Sequence, residues 1–256
     1  MLKEFIIAIQ SYFEAYRFIK KYQLWKWIII PGILYCTLLI SGYYLFVSSY
    51  NEVTKWMIDT LKIKNWLDKF EDSWLSFFFI LSKVFLDLLL FFACFSMYKF
   101  VLLIFGSPIF SYLSERTESI KGEKKISFNK TQLIADSYRA VSIALRNLGR
   151  QGVYFIAFVF ACAIPVAGWI TPLILIALDC YYIGFSMLDY GFSRNDVSQS
   201  KSIDLITHHR GLAIGNGIVF YLLHIIPIIG WIFAPGYAIV AAILSIHKAK
   251  KESLII

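Results

Sequence analysis

Charge is what this sequence has least of. Of its 256 residues only 16% are Asp, Glu, Lys or Arg, against about 25% in an ordinary soluble domain. Apolar residues make up 59%, aromatics 18%, and mean hydropathy is +0.65. So few charges cannot wet the exterior, so most of it must meet something other than water. That disfavours a soluble enzyme, a nucleic-acid binder and a disordered scaffold, and points to an integral membrane protein. The net charge of +8 then reads as Lys and Arg held in cytoplasmic loops, with no nucleic-acid partner.

Cysteine and catalytic motifs are equally sparse. Cys36, Cys94, Cys162 and Cys180 all lie inside apolar runs without pairing or ligand spacing, as small buried hydrophobes do. There is no H-E-x-x-H, P-loop, G-x-S-x-G or G-x-G-x-x-G, so no catalysis, cofactor or metal is expected. His224, inside an apolar arm, reads as a satisfied core histidine. His208, His209 and Arg210 read as a solvated loop.

The apolar core of the N-terminus, Phe5 to Ile9, is too short for a cleaved signal. Residues 1–26 instead suggest an amphipathic helix along the membrane surface, with Leu2, Phe5, Ile9, Phe13 and Tyr16 at helical spacing. Trp27 to Ser48 carries no charge over 22 residues. At 1.5 Å per residue it reaches about 33 Å, enough for a first span. Trp25 and Trp27 at one end, and Tyr43, Tyr44 and Tyr50 near the other, suit the interfaces.

A second long helix is predicted over 74–106. Its apolar run from Trp74 to Phe105 is interrupted by Lys83, Asp87 and Lys99. Lys99 is near enough to the end to snorkel. Asp87 is not, and Lys83, at i−4, is its nearest candidate partner.

Two further apolar regions, 153–188 and 212–247, are broken in mid-course by an internal repeat. The breaks run Ile164-Pro165-Val166-Ala167-Gly168-Trp169-Ile170-Thr171-Pro172 and Ile226-Pro227-Ile228-Ile229-Gly230-Trp231-Ile232-Phe233-Ala234-Pro235. Arms of about 12 to 16 residues reach only about 18 to 24 Å, so each region is expected to dip into the bilayer and return as a re-entrant helical hairpin. Tip backbone must then be buried in protein or line water. Full-length arms would give six spans with the same loop sides, so arm length alone favours hairpins. Lys and Arg number five in 1–26, eight in 107–152, three in 189–211 and three in 248–256. These segments are expected on the cytoplasmic side with both termini, opposite 49–73.

Between the long helix and the first hairpin, 128–150 places Leu133, Ile134, Tyr138, Val141, Leu145 and Leu148 on one helical face. Arg139, Arg146 and Arg150 lie largely off it. That is the pattern of a basic helix resting on anionic lipid.

Charges inside apolar runs are the candidate chemistry. Lys83, Asp87 and Asp179 either form ion pairs that set helix register or line a conduit for an ion. Lys26, where the first span begins, and Arg116, after the second, lie near helix ends that could attract an anion. The loop-charge rule alone accounts for both, and it is the stronger reading for each.

Several tracts together resemble the CysZ family, which includes the eukaryotic etoposide-induced protein 2.4. One is Gly106-Ser107-Pro108-Ile109-Phe110-Ser111-Tyr112-Leu113-Ser114-Glu115-Arg116-Thr117-Glu118. The others are Leu188-Asp189-Tyr190-Gly191-Phe192-Ser193, His209-Arg210-Gly211-Leu212-Ala213-Ile214-Gly215-Asn216-Gly217, and the two I-P-x-x-G breaks. Order and spacing agree from about residue 12 to 247. The resemblance implies an oligomeric bacterial inner-membrane protein for sulfate uptake feeding cysteine synthesis. Its implied fold is two long transmembrane helices plus two partly penetrating hairpins. Glu115, Arg116, Asp189, Tyr190, Arg210 and Gly211 would hold the loops between them. The family's Pro-Gly-x-Arg-Arg segment before the first span implicates Lys26, because Trp25 and Lys26 stand here where the arginine pair would be.

The expectation is therefore an all-α integral membrane protein with two long spans, two Pro/Gly-broken hairpins and amphipathic surface helices. It would pass a small inorganic anion, sulfate first, through the bilayer as a homo-oligomer. A non-transporting scaffold or membrane-homeostasis protein of the same family is the alternative.

Overall fold

The computed structural model describes residues 1–60, 99–122, 130–161, 165–193, 195 and 197–254. Lys83, Asp87 and most of the predicted 74–106 helix lie outside the described residues. Among those described, every regular element is a helix. In chain order they are α1 (Leu2–Lys21), α2 (Trp25–Thr60), α3 (99–121), α4 (Lys130–Ala161), α5 (Pro165–Ser193), α6 (Gln199–His208), α7 (Arg210–His224) and α8 (Ile229–Lys251). Three stretches are long and apolar enough to cross a membrane: Trp25–Ser49, Leu173–Ser193 and Ile229–Lys251. The chain divides into two compact units, one of Met1–Cys36 with Lys99–Ile256 and one of Thr37–Tyr98. Helix α1 and every helix from α3 onward belong to the first.

α1 buries a different face from the one its apolar spacing suggested. Ile7, Ala8, Tyr12, Ala15 and Ile19 are buried, whereas Leu2, Phe13 and Tyr16 face outward. The small Ala8 and Ala15 allow a close approach to α7 and α8. A Cβ on Gly215 would stand 2.7 Å from that of Ala8. The Tyr12 hydroxyl donates to the Asn216 carbonyl at 2.8 Å, and Tyr237 donates to the Tyr12 carbonyl at 2.6 Å. Burial first, and Tyr237 second, push the Tyr12 phenol well above its usual range, so it remains a donor. The bulkier apolar face is left for lipid.

The two proline breaks are narrower than the repeat that marks them. α5 starts at Pro165, a first-turn position where the missing N–H costs least, and it continues through Pro172. α8 starts at Ile229 and likewise runs through Pro235. Gly168 and Gly230 therefore lie within helices. The second break is confined to residues 225–228. There the Ile229 N–H donates to the Pro227 carbonyl at 2.6 Å around Ile228, whose φ is 63° and ψ −62°. This is a γ-turn in a region that β-branched residues seldom adopt.

Arm lengths change accordingly. At 1.5 Å per residue, α7, with 15 residues, extends about 22 Å. α8, with 23, extends about 34 Å, and α5, with 29, about 43 Å. The arms are unequal because each second proline is carried inside a helix rather than ending it. The basic segment 128–150 and the first arm of hairpin 1 are likewise one continuous helix, α4.

α5 and α7 cross closely through small residues. A Cβ on Gly217 would overlap the Cys180 carbonyl, and one on Gly184 the Ala213 carbonyl. Such crossings let backbones touch where water cannot drive association. Gly217→Val is therefore expected to destabilise the bundle by about 1–3 kcal/mol or more. Gly152→Ala, where nothing lies within 4 Å, should leave stability unchanged or slightly raised. Thermal unfolding of both variants in one detergent checks the contrast.

Candidate functional site

The sequence leaves polar side chains at spacings of three, four, seven and eight along each of two helices. α4 carries Asp136, Arg139, Asn147 and Gln151. α5 carries Asp179, Ser186, Asp189 and Ser193. Such spacing puts each set on one helical face, and the antiparallel packing brings the two faces together. Gln151 donates to Asp179, Asn147 to Ser186 at 3.4 Å, Arg139 to Asp189, and Ser193 to Asp136 at 2.7 Å. The result is a polar seam of four rungs. Measured along α4 from residue 136 to 151, it is about 22 Å long. Asn147, Gln151, Ser186 and Asp189 are all buried.

One end is organised by Asp179. Lys99 Nζ on α3 lies 2.8 Å from its Oδ1, and the Tyr221 hydroxyl on α7 donates to Oδ2 at 3.4 Å. Lys99 does not snorkel: its side chain is only 5% exposed. A lysine on α3 is held by a carboxylate 80 residues away because each would otherwise be a lone buried charge. Four helices thus meet at one carboxylate.

The other end is organised by Asp189. Arg139 approaches it through Nη2 at 2.7 Å and Nε at 3.4 Å. The Ser202 hydroxyl on α6 donates to it at 2.6 Å, and Arg139 also donates to the Val197 carbonyl. A fork of this kind suits guanidinium better than ammonium. Arg139 therefore faces the protein interior, not lipid as a basic surface helix would have it. By contrast, Ile134, Tyr138 and Leu145 are exposed, in keeping with a lipid-facing stripe.

The family tracts meet around this same end. Ser114 donates to the Tyr190 carbonyl at 2.8 Å, and the Phe110 and Tyr190 rings pack edge to face at 5.8 Å. Gly106 accommodates Phe110, whose ring lies 2.7 Å from where a Cβ would stand. Pro108 lies inside α3 without ending it. Glu115 and Arg116 are half-buried on α3. Glu118, one turn beyond Ser114, pairs with His247 on α8 at 2.8 Å.

Arg210 and Gly211 have separate roles. Arg210 is exposed and donates to the Thr207 carbonyl in its own turn. The Gly211 N–H, a free donor at the start of α7, is capped by Glu4 Oε2 at 3.0 Å. The other Glu4 oxygen lies 3.0 Å from His209 Nδ1. A side chain on Gly211 would displace that carboxylate.

His224 is a core histidine, stacked on Phe220 and 3.0 Å from the Tyr35 hydroxyl. Lys26 stands apart from the seam, exposed in the first turn of α2, and makes no ion pair among the described residues. Gln151, Asn147, Ser186, Ser202, Tyr221 and the inward Arg139 escaped the sequence reading. On α4 and α5 the helical spacing was the available signal; Ser202 and Tyr221, each the one contributor from its helix, gave none.

Charged pairs and amides buried between α4 and α5, in a chain with three stretches long and apolar enough to cross a bilayer, define a membrane protein with a polar interior seam. The family model for sulfate transporter CysZ/etoposide-induced protein 2.4 matches residues 11–235. The chain belongs to that family. Among curated proteins, none matches it.

Proposed function

We propose that this chain is a membrane permease for a small inorganic anion, sulfate first, and that in a bacterial inner membrane it feeds cysteine synthesis. The observation that carries this is the family match across residues 11–235, joined to a buried polar seam about 22 Å long between the amphipathic α4 and the apolar α5. α7 falls short of a hydrocarbon core of about 30 Å, which favours a second hairpin whose first arm enters only partway, while α8 is long enough to cross; the basic segments favour cytoplasmic termini. The chain would work as a homo-oligomer and move its ion without converting it. Lys26, at the positive end of α2, would draw the anion in. The seam is closed by its own ion pairs, so passage requires Lys99 and Asp179 to separate.

Labelled-sulfate uptake into proteoliposomes tests the reading. Uptake should exceed that of protein-free vesicles and fall about tenfold in Lys26→Ala, the worth of one charge-assisted hydrogen bond. Uptake equal to the empty vesicles with folded protein rejects sulfate. Equal uptake in the variant removes Lys26 from the path.

The charge balance of the seam favours one second reading. Lys99 and Arg139 are each matched by a carboxylate, which also suits a scaffold whose pairs only fix helix register. Such a protein would bind or organise other membrane components and pass no anion.

A further inference from the structure

Two arginines on α4 form no rung of the seam, although Arg146 touches its Asn147. Arg146 and Arg150 are one helical turn apart, and neither has a carboxylate within ion-pair distance among the described residues. The Arg146 guanidinium lies over the Phe185 ring at 5.5 Å, and its Nη1 reaches the Asn147 side chain at 3.4 Å. Beside it the Tyr181 ring packs against Tyr182 at 5.2 Å and Phe185 at 5.8 Å. Burial first, and Arg150 second, lower the Arg146 pKa. The carboxylate that acts on Arg146, Asp189, is already paired with Arg139, so two like charges sit one turn apart without an ion pair of their own among the described residues.

Their position says what supplies it. At 100° per residue, Arg146 and Arg150 fall between the buried stripe of Ala140, Ile143, Ala144 and Asn147 and the exposed apolar stripe of Ile134, Tyr138, Leu145 and Ile156. They therefore edge a surface that lipid covers. A Cβ on Gly149 would meet nothing within 4 Å, so the space beside the pair is open. A ligand here must carry oxyanions for the guanidinium forks and an apolar body for the stripe.

We propose that Arg146 and Arg150, backed by Phe185 and Tyr181, form a seat for the phosphate of an anionic phospholipid whose acyl chains lie along the exposed face of α4. The phosphoryl oxyanion is chemistry that free phosphate shares, but the apolar stripe selects the lipid. The seat needs the chain to be in a membrane and does not depend on sulfate being its cargo.

The test uses the full chain in detergent, with binding of fluorescent phosphatidylglycerol measured by titration. Wild-type protein should bind phosphatidylglycerol well above phosphatidylcholine, with inorganic phosphate at equal concentration displacing little of it. Arg146→Gln/Arg150→Gln should bind about twenty-five-fold more weakly, the product of about fivefold for each basic residue at a membrane surface. Arg17→Gln/Lys20→Gln on α1 should bind as wild type does. Arg150→Gln alone, at an exposed position, should lose about fivefold and serves if the double variant does not fold. Undiminished phosphatidylglycerol binding in the arginine variants overturns the proposal. So does equal binding of phosphatidylcholine, or full displacement by inorganic phosphate, which would make this a free-oxyanion site. Sulfate uptake by the same variants separates the outcomes: lost lipid affinity with intact uptake supports the seat and leaves the permease reading standing.

Discussion

Arg139→Ala is expected to cost about 3–5 kcal/mol of stability, because it strands a carboxylate that the fold has removed from solvent. The Arg139 side chain is 15% exposed and that of Asp189 is 4%, so little solvent screens the pair. Arg139 also serves the Val197 carbonyl, and its loss loosens the link from α5 to α6. Removing the Ser202 hydroxyl should cost less, about 1–3 kcal/mol, since it takes away one bond to a charged group and leaves the ion pair standing. Thermal unfolding in detergent should rank the proteins as wild type, then Ser202→Ala, then Arg139→Ala. If Arg139→Ala melts with wild type, Asp189 has another source of compensation and the pair does not hold this end of the seam.

The second large effect belongs to Asp179. Asp179→Ala leaves Lys99 buried without its carboxylate and removes the acceptor shared by Gln151 and Tyr221. A loss of about 3–5 kcal/mol is expected by the same reasoning. The informative protein is the double variant Lys99→Met/Asp179→Leu, in which both charges give way to apolar groups of similar bulk. Replacing a whole buried pair this way is often neutral or stabilising, so it should melt well above Asp179→Ala and fall short of wild type only by the acceptor that Gln151 and Tyr221 lose, about 1–3 kcal/mol. If the pair gates an anion's route, sulfate uptake should nevertheless fall to the level of protein-free vesicles. If uptake returns along with stability, the pair only fixes helix register. Measuring melting and uptake on the same preparation separates these cases.

How far each feature was legible depends on whether its cause is local. The uncharged run at 27–48 needs only composition and length, and Trp25–Ser49 is accordingly among the stretches long enough to cross. The proline breaks were legible as breaks, but their extent was not. Whether Pro172 and Pro235 end a helix depends on packing around a lost hydrogen bond, which the residues themselves do not specify. Arg139 and Lys99 show the same limit. Both sit where a long basic side chain can reach either outward or inward. The choice belongs to Asp189 and Asp179, which are distant along the chain and adjacent only after folding.

The sequence by itself determined the solvent. With 16% charged residues and 59% apolar ones, the chain can satisfy its surface only in lipid, where backbone must pair as helices or a closed barrel, and uncharged runs as long as 27–48 select helices. The tracts that place it in its family are equally a property of the residues. The tertiary structure decided which polar groups face one another. In a low-dielectric interior every charge must find a partner or be excluded. The helix faces that meet are set jointly by glycine crossings, such as Gly184 and Gly217, and by the reach of each side chain. No single segment holds that information, and the seam from Asp136 to Gln151 exists only where α4 and α5 lie side by side.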